Sequence, residues 1–241
     1  MKKLIILLLT VSSLFGQFKF QQSLPDRYTS MLVRFNNSPQ STIYDVSQYS
    51  NVITNAGTTK TTTANNPVMG LYSGYFDGST TSLSVPSNNA QLNIGSSDMT
   101  IEFWIYFYAS TSAAGGVFYI NYVGDYIGVG LFTAATSGMY SYGSTDGSSW
   151  NLVPNKTFTL SGSTWYHIAM TRVSGAWKGY TNGVEVWTDN SAGAIYYGTD
   201  YKLQIGSYKA GCFGKFQMQN FRVTKGISRY SAAFTPTKKP F

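Results

Sequence analysis

Side chains that usually carry acid–base chemistry are scarce in this sequence, which has ten acidic residues and one histidine among 241. Glycoside hydrolysis needs two carboxyl groups, about 5–5.5 Å apart for retention or about 6.5–9.5 Å apart for inversion. The two glutamates are Glu102 and Glu185. Asp189 follows Glu185 by four residues, but the two straddle the predicted end of a strand and do not match such a pair. Glu102 is expected on a solvated or hydrogen-bonded strand face rather than in a catalytic role.

The residues needed for nucleophilic catalysis or for a zinc site are also scarce. A Ser-His-Asp triad needs a histidine base, and His167 lies inside a predicted strand in a chain that has no Gly-x-Ser-x-Gly elbow. Zinc needs three or four ligands, which one histidine and one cysteine cannot supply without two or more carboxylates. Cys212 is expected to be a small packed residue, since a lone thiol without a base nearby is a poor nucleophile. The sequence therefore predicts a protein that is not an enzyme.

Aromatic side chains among uncharged polar residues are the feature that fits a binding function. The C–H bonds of a sugar pack on an aromatic face while its hydroxyls bond to Asn, Ser and Thr. The ligand-binding candidates lie in loop-like or turn-rich segments and are Trp150, Tyr126, Tyr197, Tyr122 and Asp125. Trp150 is the first choice, because Asp, Gly, Ser and Asn surround it. It either forms a platform for the ligand or packs as a lid on the edge of the fold.

The composition indicates that β-strands must position these side chains. Charged residues make up 11% of the chain, against a usual share of about 25%. Tyrosine (19), phenylalanine (15) and glycine (24) are abundant. Aromatic residues suit pleated strands, whereas glycine, asparagine and serine suit the turns between them. The fold is therefore predicted to be all-β, and the length fits one large β-sandwich.

The pattern along the chain predicts thirteen strands. They lie at residues 30–35, 71–76, 81–85, 100–108, 117–122, 126–132, 139–143, 156–160, 165–173, 176–181, 184–187, 202–207 and 215–224. The clearest is 100–108, where apolar residues alternate with Glu102, Trp104 and Tyr106. Asn182-Gly183 between two apolar runs predicts a type I′ hairpin. Trp104 and Trp165 are expected in the core. Strands recurring every 8–15 residues predict a two-sheet antiparallel sandwich or jelly roll.

Six segments carry a family resemblance. They are FDGS at 76–79 with LSVP at 83–86, MTIEFWI at 99–105, WYHIAMTR at 165–172, YTNGV at 180–184, LQIG at 203–206, and FRVTKG at 221–226 with RY at 229–230 and FTP at 234–236. In this order and spacing they resemble the laminin G-like jelly roll of the concanavalin A-like lectin/glucanase superfamily, from about residue 30 to residue 241. The resemblance implies a two-sheet antiparallel jelly-roll β-sandwich.

The resemblance leaves the function open, because this fold carries lectins, adhesins, accessory modules of glycanases and some glycanases. Its glycanases carry their acids as Glu-x-Asp-x-Glu or Glu-x-Asp-x-x-Glu on one strand, a pattern that this chain lacks. Members often bind calcium through loop carboxylates, and Asp45 and Asp77 stand where the family often has acids. Gln219 and Asn220 replace the paired acids of many relatives. Calcium therefore stays an alternative to a role of Asp77 as a turn former.

The N-terminal residues indicate export. Lys2 and Lys3 precede an apolar run that ends in small residues, so residues 1–16 are predicted to be a signal peptide cleaved after Gly16. Residues 17–29 are then a lead-in, and residues 30–241 are one laminin G-like domain with a C-terminal tail. Nothing downstream resembles a membrane span. A secreted or cell-surface location is expected, with a virion surface as the alternative.

The charge adds one further clue. The chain carries a net charge of +7, and residues 201–241 hold eight lysines and arginines and no acid. These charges either attract an acidic glycan or an acidic partner, or belong to a solvated edge and tail. No basic run of the kind that binds nucleic acid is present.

Two functions of different classes stay open. The first is a non-catalytic secreted or surface-displayed module for glycan recognition or adhesion, with a cell-surface polysaccharide as its partner. The second is a structural or attachment protein of a virion or extracellular assembly that contacts copies of itself or another protein. The signal segment favours the first. The closing segment favours the second, because it resembles versions found in environmental bacteria and their phages.

Overall fold

The computed structural model describes residues 26–36, 42–57, 60–86, 89–108, 115–123, 125–134, 138–197, 203–208 and 211–241. The predicted signal peptide and most of the predicted lead-in lie outside these residues. The end of the lead-in is described: Asp26 pairs with Arg229, and Thr29 begins the first strand. Among the described residues, no helix is long and apolar enough to cross a membrane.

Fifteen strands and one short 3₁₀ helix, at Ala90–Leu92, form the described part of the fold. The strands are β1 (Thr29–Val33), β2 (Thr54–Ala56), β3 (Lys60–Thr62), β4 (Ser73–Asp77), β5 (Ser82–Val85), β6 (Met99–Phe107), β7 (Gly116–Val123), β8 (Tyr126–Ala134), β9 (Gly138–Gly143), β10 (Leu152–Thr159), β11 (Thr164–Val173), β12 (Ala176–Thr181), β13 (Val184–Asp189), β14 (Leu203–Ile205) and β15 (Lys215–Lys225).

The strands form two antiparallel sheets. Seven strands of the eight-stranded sheet have the order β13-β12-β11-β6-β15-β4-β3. The eighth, β1, lies on the same side of β15 as β4: β4 pairs with the first half of β15, and β1 pairs with its second half. The seven-stranded sheet has the order β10-β9-β8-β7-β14-β5-β2. Sequence neighbours such as β4 and β5 lie in different sheets, which is the connectivity of a jelly roll. The predicted all-β, two-sheet antiparallel jelly-roll sandwich is therefore confirmed.

The core lies between the two sheets and follows from strand alternation. Ile101, Phe103, Ile105 and Phe107 of β6 are at most 2% exposed and point inward, as their spacing predicts. The largest of the remaining core side chains come from both sheets and include Phe76, Phe118, Phe158, Trp177, Phe216 and Phe221.

The C-terminal tail, residues 226–241, crosses the outer face of the eight-stranded sheet. The backbone N–H of Phe234 donates to the carbonyl of Gly183 at 3.0 Å, and Trp104 Nε1 donates to the carbonyl of Thr237 at 3.3 Å. Trp104 is therefore buried beneath the tail rather than between the sheets. The prediction of a core position is wrong for Trp165, which is half-buried on the same outer face.

The predicted hairpin at Asn182-Gly183 is confirmed. Both residues have positive φ, 50° and 80°, and they join β12 to β13 in the way a type I′ turn requires. Ser174-Gly175 forms a second turn with positive φ at both positions, 48° and 88°, between β11 and β12. The two turns differ in their surroundings, since Gly183 lies against the tail and Gly175 faces open space.

Candidate functional site

The outer face of the seven-stranded sheet carries a groove of about 320 Å³ that is lined almost entirely by aromatic rings. Its lining residues are Phe132, Tyr140, Tyr142, Trp150, Tyr208 and Cys212, and we call it the aromatic groove. Its rings belong to a cluster separate from the core, because alternate residues of a strand point to opposite faces of the sheet. Met139 and Ser141 of β9 point inward and are buried, whereas Tyr140 and Tyr142 point outward and are half-buried.

Strand pairing brings the rings together. Phe132 lies directly opposite Tyr140, and their rings stack with centroids 5.6 Å apart. Gly130 lies opposite Tyr142. A Cβ at Gly130 would come within 2.5 Å of the backbone carbonyl oxygen of Phe118, so β8 has no room for a side chain there. The floor of the aromatic groove is therefore set by glycine on β8 and by tyrosine on β9.

Trp150 closes one side of the aromatic groove. Its ring packs against Tyr142, with centroids 5.2 Å apart, and against Tyr126, with centroids 4.9 Å apart. Tilted contacts of this kind are favourable for aromatic pairs and restrict the rotation of each ring. Trp150 stays half-buried, so part of its surface faces solvent.

The loop before Trp150 is held by its own hydrogen bonds. Asp146 accepts bonds from the backbone N–H groups of Ser148 and Ser149, at 2.7 and 2.9 Å, and from Asn151 Nδ2 at 3.1 Å. Asn151 also bonds to Thr145 through both ends of its amide. The hydrogen bond from the Ser149 hydroxyl, together with the backbone bonds, lowers the pKa of Asp146 and keeps its carboxylate ionised. Trp150 is therefore positioned before any ligand arrives.

The other predicted ligand-binding residues lie around the same face or beside it. Tyr126 contacts Trp150, as described above. Tyr122 contacts Tyr208, with centroids 6.0 Å apart, and the Tyr208 hydroxyl donates to the carbonyl of Asp125. Trp150, Tyr126 and Tyr122 thus lie in one group of rings on this sheet face, and Asp125 contacts that group through its backbone carbonyl. Tyr197 is half-buried; its neighbour Tyr196 is the ring that packs on Gly147 of the 144–151 loop.

Sequence reasoning missed most of the lining of the aromatic groove. The alternation of Tyr140 and Tyr142 with buried residues was a usable signal for one outward-facing pair. The signal for Phe132 is weaker, because residues on both faces of its strand are buried and no alternation marks the outward-facing ones. Tyr208 gave none, since only the fold brings it from the segment after β14 to the rings of β8, where it meets Phe132 at 4.9 Å.

The two acids considered for calcium are both tied into hydrogen-bond networks. Asp45 accepts bonds from the backbone N–H groups of Leu32, Ser47 and Asn51, each at 2.9 Å. These bonds join the segment after β1 to β1 itself. Asp45 is 7% exposed. Its oxygens already serve as acceptors for nearby donors.

Asp77 has the surroundings of a turn former. Its carboxylate accepts bonds from the backbone N–H groups of Ser79, Thr80 and Thr81, at 2.8, 2.9 and 3.1 Å. Burial opposes ionisation, but these bonds outweigh it and lower the pKa of Asp77. Gln219 is bonded to the backbone of Met69. No group of three or more His, Cys, Asp and Glu side chains that could hold a metal occurs among the residues described, and calcium stays a prediction.

Glu102 is enclosed rather than solvated. Its side chain is 0% exposed, and its carboxylate bonds to Arg222 Nε at 2.9 Å and to the Tyr230 hydroxyl at 2.7 Å. His167 Nε2 lies 3.2 Å away. Desolvation raises the pKa of Glu102, but the contact with His167, the charge of Arg222 and the Tyr230 bond together lower it to about 2. The expectation of a solvated or hydrogen-bonded strand face is met in its second form, because the tail covers this position and Arg222 and Tyr230 bond to the carboxylate.

Comparison with known proteins places the chain in a structural context. A family model described as the Concanavalin A-like lectin/glucanases superfamily matches residues 77–227. No curated protein sequence matches the chain.

Several solved structures share the fold. Domain 4 of an extracellular arabinanase from Geobacillus stearothermophilus, in complex with arabinotriose, is 17% identical with a TM-score of 0.57, and the match covers 82% of this chain and 92% of that one. The binding domain of botulinum neurotoxin DC, in complex with SialylT, is 15% identical with a TM-score of 0.61, covering 84% and 49%. Trypanosoma rangeli sialidase, in complex with sialic acid, is 12% identical with a TM-score of 0.58, covering 85% and 32%. At these identities the likeness concerns the fold.

Proposed function

Because this chain belongs to the Concanavalin A-like lectin/glucanases superfamily, we propose that it is a non-catalytic module that binds glycans in the aromatic groove. The observation that carries the proposal is the set of half-exposed rings around Trp150, held in place by strand pairing and by the 144–151 loop. A preformed aromatic surface gives a sugar ring a packing partner without the entropic cost of ordering it.

The groove suits a small, uncharged stretch of sugar. Its volume of about 320 Å³ is at the lower end of the range for small-molecule sites. Among the residues described, its lining contains no charged side chain. Burial raises the pKa of Tyr140, and it raises that of Tyr208 to about 12, so both hydroxyls stay protonated at neutral pH. The Tyr140 hydroxyl can donate to and accept from sugar hydroxyls, whereas the Tyr208 hydroxyl, which donates to the carbonyl of Asp125, offers a sugar only its acceptor lone pairs.

The solved structures with this fold support the same function. Domain 4 of the arabinanase was solved with arabinotriose, the neurotoxin binding domain with SialylT, and the sialidase with sialic acid. We infer that this chain uses the shared fold for a related purpose, on a lining of its own.

A catalytic role has little support from the acids. Glu102 is sealed beneath the tail and ionised, so it can neither reach a substrate nor donate a proton. Glu185 and Asp189 are four residues apart on β13, which corresponds to about 13 Å and exceeds the spacing of either hydrolytic mechanism. Asp98, four residues before Glu102, accepts a bond from the backbone N–H of Ser174.

We propose that the module acts outside the cell, with residues 1–16 as its export signal. An alternative of another class is a structural or attachment protein. The observation in its favour is β13, which ends the eight-stranded sheet with Val184 62% exposed and Val186 45% exposed. An apolar edge strand offers unpaired backbone groups to a second chain.

A glycan array combined with light scattering separates these proposals. The module hypothesis predicts binding to a subset of neutral glycans with dissociation constants of roughly 10 μM to 1 mM, as expected for a small solvent-exposed site. The array signal should fall when Tyr142→Ser removes a ring from the groove. Absence of binding to any glycan, together with a stable homo-oligomer in solution, would favour the structural alternative.

A further inference from the structure

The outer face of the eight-stranded sheet carries a second aromatic surface that the glycan proposal above does not use. Directly paired residues on neighbouring strands form a row that crosses β3, β4, β15, β6 and β11. The row consists of Lys60, Tyr75, Gln217, Tyr106 and Trp165, and we call it the aromatic ladder. Residues directly opposite one another project to the same face. Five strands at about 4.8 Å spacing make the row about 19 Å long. Gln217 in its middle is 1% exposed, so a ligand reaches the row at Lys60 and Tyr75 on one side of it and at Tyr106 and Trp165 on the other.

The rings of the aromatic ladder are held in place and partly exposed. Tyr75, Tyr106 and Trp165 are all half-buried. The rings of Tyr106 and Trp165 meet edge to face with centroids 5.7 Å apart, and Trp165 Nε1 donates to the carbonyl of Asn65 at 2.8 Å. These contacts fix the tilt of each ring, so the surface is present before a ligand binds.

A hydrogen-bond donor stands beside the aromatic ladder. The hydroxyl oxygen of Tyr108 accepts bonds from Asn65 Nδ2 at 2.9 Å and from Gln217 Nε2 at 2.6 Å. Both bonds use its lone pairs, so its proton is left for a ligand acceptor. Burial raises the pKa of Tyr108, which keeps that proton in place at neutral pH.

The charges around the aromatic ladder are mainly positive. Lys60 is exposed at one end, and Lys215 Nζ lies 5.5 Å from the centroid of the Tyr108 ring. The acid paired with Lys215 across the strands is Asp77. Its oxygens accept the turn hydrogen bonds of residues 79–81 described above. Two lysines and a phenol donor are complementary to negatively charged groups.

We propose that the aromatic ladder is a second glycan-binding site, specific for acidic polysaccharide, on the sheet opposite the aromatic groove. Sugar rings pack on Tyr75, Tyr106 and Trp165, while carboxylate or sulfate groups pair with Lys60 and Lys215. The site is separate from the groove and does not depend on the groove binding any ligand.

Charge-removing variants test the site by biolayer interferometry against immobilised polygalacturonate and heparin oligosaccharides, which carry carboxylates and sulfates respectively. The double variant Lys60→Gln/Lys215→Gln should bind at least one of the two about tenfold more weakly. The control Lys238→Gln/Lys239→Gln removes the same number of positive charges from the tail and should change binding by about twofold or less. An equal loss in both double variants, or no loss in the first, would overturn the proposal.

Ring variants provide the second arm of the test. Trp165→Ala should weaken binding to the same oligosaccharide, whereas Trp165→Phe, which keeps a ring at this position, should retain most of it. Tyr75→Ser replaces Trp165→Ala if that variant lowers the melting temperature. Trp150→Ala should leave acidic binding unchanged. Loss of acidic binding in Trp150→Ala alone would assign it to the aromatic groove and refute the aromatic ladder, whether or not the groove binds neutral glycans.

Discussion

At the scale of single residues, Glu102 is the buried charge on the outer face of β6. Arg222 and Tyr230 bond to its carboxylate from more than a hundred residues further along the chain, so this contact joins β6 to β15 and to the tail. The alternation of β6 predicts that Glu102 lies on the face away from the core, but it contains no information on the distant residues that cover that face.

Removing the charge of Glu102 should destabilise the fold in a pH-dependent way. Glu102→Gln leaves Arg222 and His167 without their carboxylate, which should cost about 3 kcal/mol at neutral pH. The folded pKa of Glu102, about 2, lies below its unfolded value. Its stabilising contribution is therefore complete above about pH 4.5 and is lost as the pH falls towards 2.

Urea unfolding of both proteins from pH 7 to pH 2 checks this expectation. The difference in unfolding free energy should be largest near neutral pH and should narrow below about pH 4.5. Glu185→Gln, at the exposed pair with Lys178, is the control and should cost less than about 1 kcal/mol. A difference that is constant with pH would contradict the ionised, paired state of Glu102.

Substitution of Asp77 distinguishes a structural role of this carboxylate from a role as a calcium ligand. Its hydrogen bonds to residues 79–81 predict that Asp77→Ala lowers the unfolding free energy by about 1–2 kcal/mol with calcium or with a chelator. The melting temperature of the wild type should not change when calcium is chelated. A fall of several degrees on chelation, absent in Asp77→Ala, would instead identify Asp77 as a calcium ligand.

At the scale of elements, the strands that the sequence predicted are those with clear alternation or an apolar run. The thirteen predicted strands all correspond to strands of the structure, with ends shifted by a few residues. β2 and β3 were missed, because each has three residues and their sequences, Thr-Asn-Ala and Lys-Thr-Thr, are polar. Such edge strands are held by hydrogen bonds to a neighbouring strand rather than by a buried face. Their sequences therefore show no alternation of apolar and polar residues from which a strand could be predicted.

The two matched hairpin turns predict a difference between two glycine substitutions. Gly183 and Gly175 both have positive φ, 80° and 88°, so alanine or valine at either position should cost about 1–2 kcal/mol through backbone strain. A Cβ at Gly183 would also lie 1.7 Å from the carbonyl oxygen of Phe234, whereas nothing lies within 4 Å of one at Gly175.

Gly183→Ala should therefore be more destabilising than Gly175→Ala, by on the order of 1 kcal/mol or more, because the tail must move away. Denaturant unfolding of both variants measures the difference. Gly183→Val should lower the melting temperature further. Equal effects at the two turns would mean that the tail does not pack on the hairpin as described.

At the scale of the whole molecule, the two sheets present aromatic surfaces of different charge. The described lining of the aromatic groove carries no charged side chain, whereas the aromatic ladder of the eight-stranded sheet has Lys60 at one end and Lys215 beside Tyr108. Composition predicts the β-strands, and the loop-like context of Trp150 predicts that its ring is available to a ligand. The two surfaces could not be predicted, because each combines residues from strands or loops far apart in sequence, and only the pairing order of the sheets brings them together.

Isothermal titration calorimetry of Trp150→Ala with the best neutral glycan from the array tests whether the aromatic groove is the glycan site. Binding should weaken by about 1–3 kcal/mol while the melting temperature stays near that of the wild type, because a half-exposed stacking ring contributes little to the core. Tyr44→Ala removes a ring that is 59% exposed outside the groove and should bind normally. Unchanged affinity with a lowered melting temperature would make Trp150 a structural lid and would contradict the aromatic groove as the glycan site.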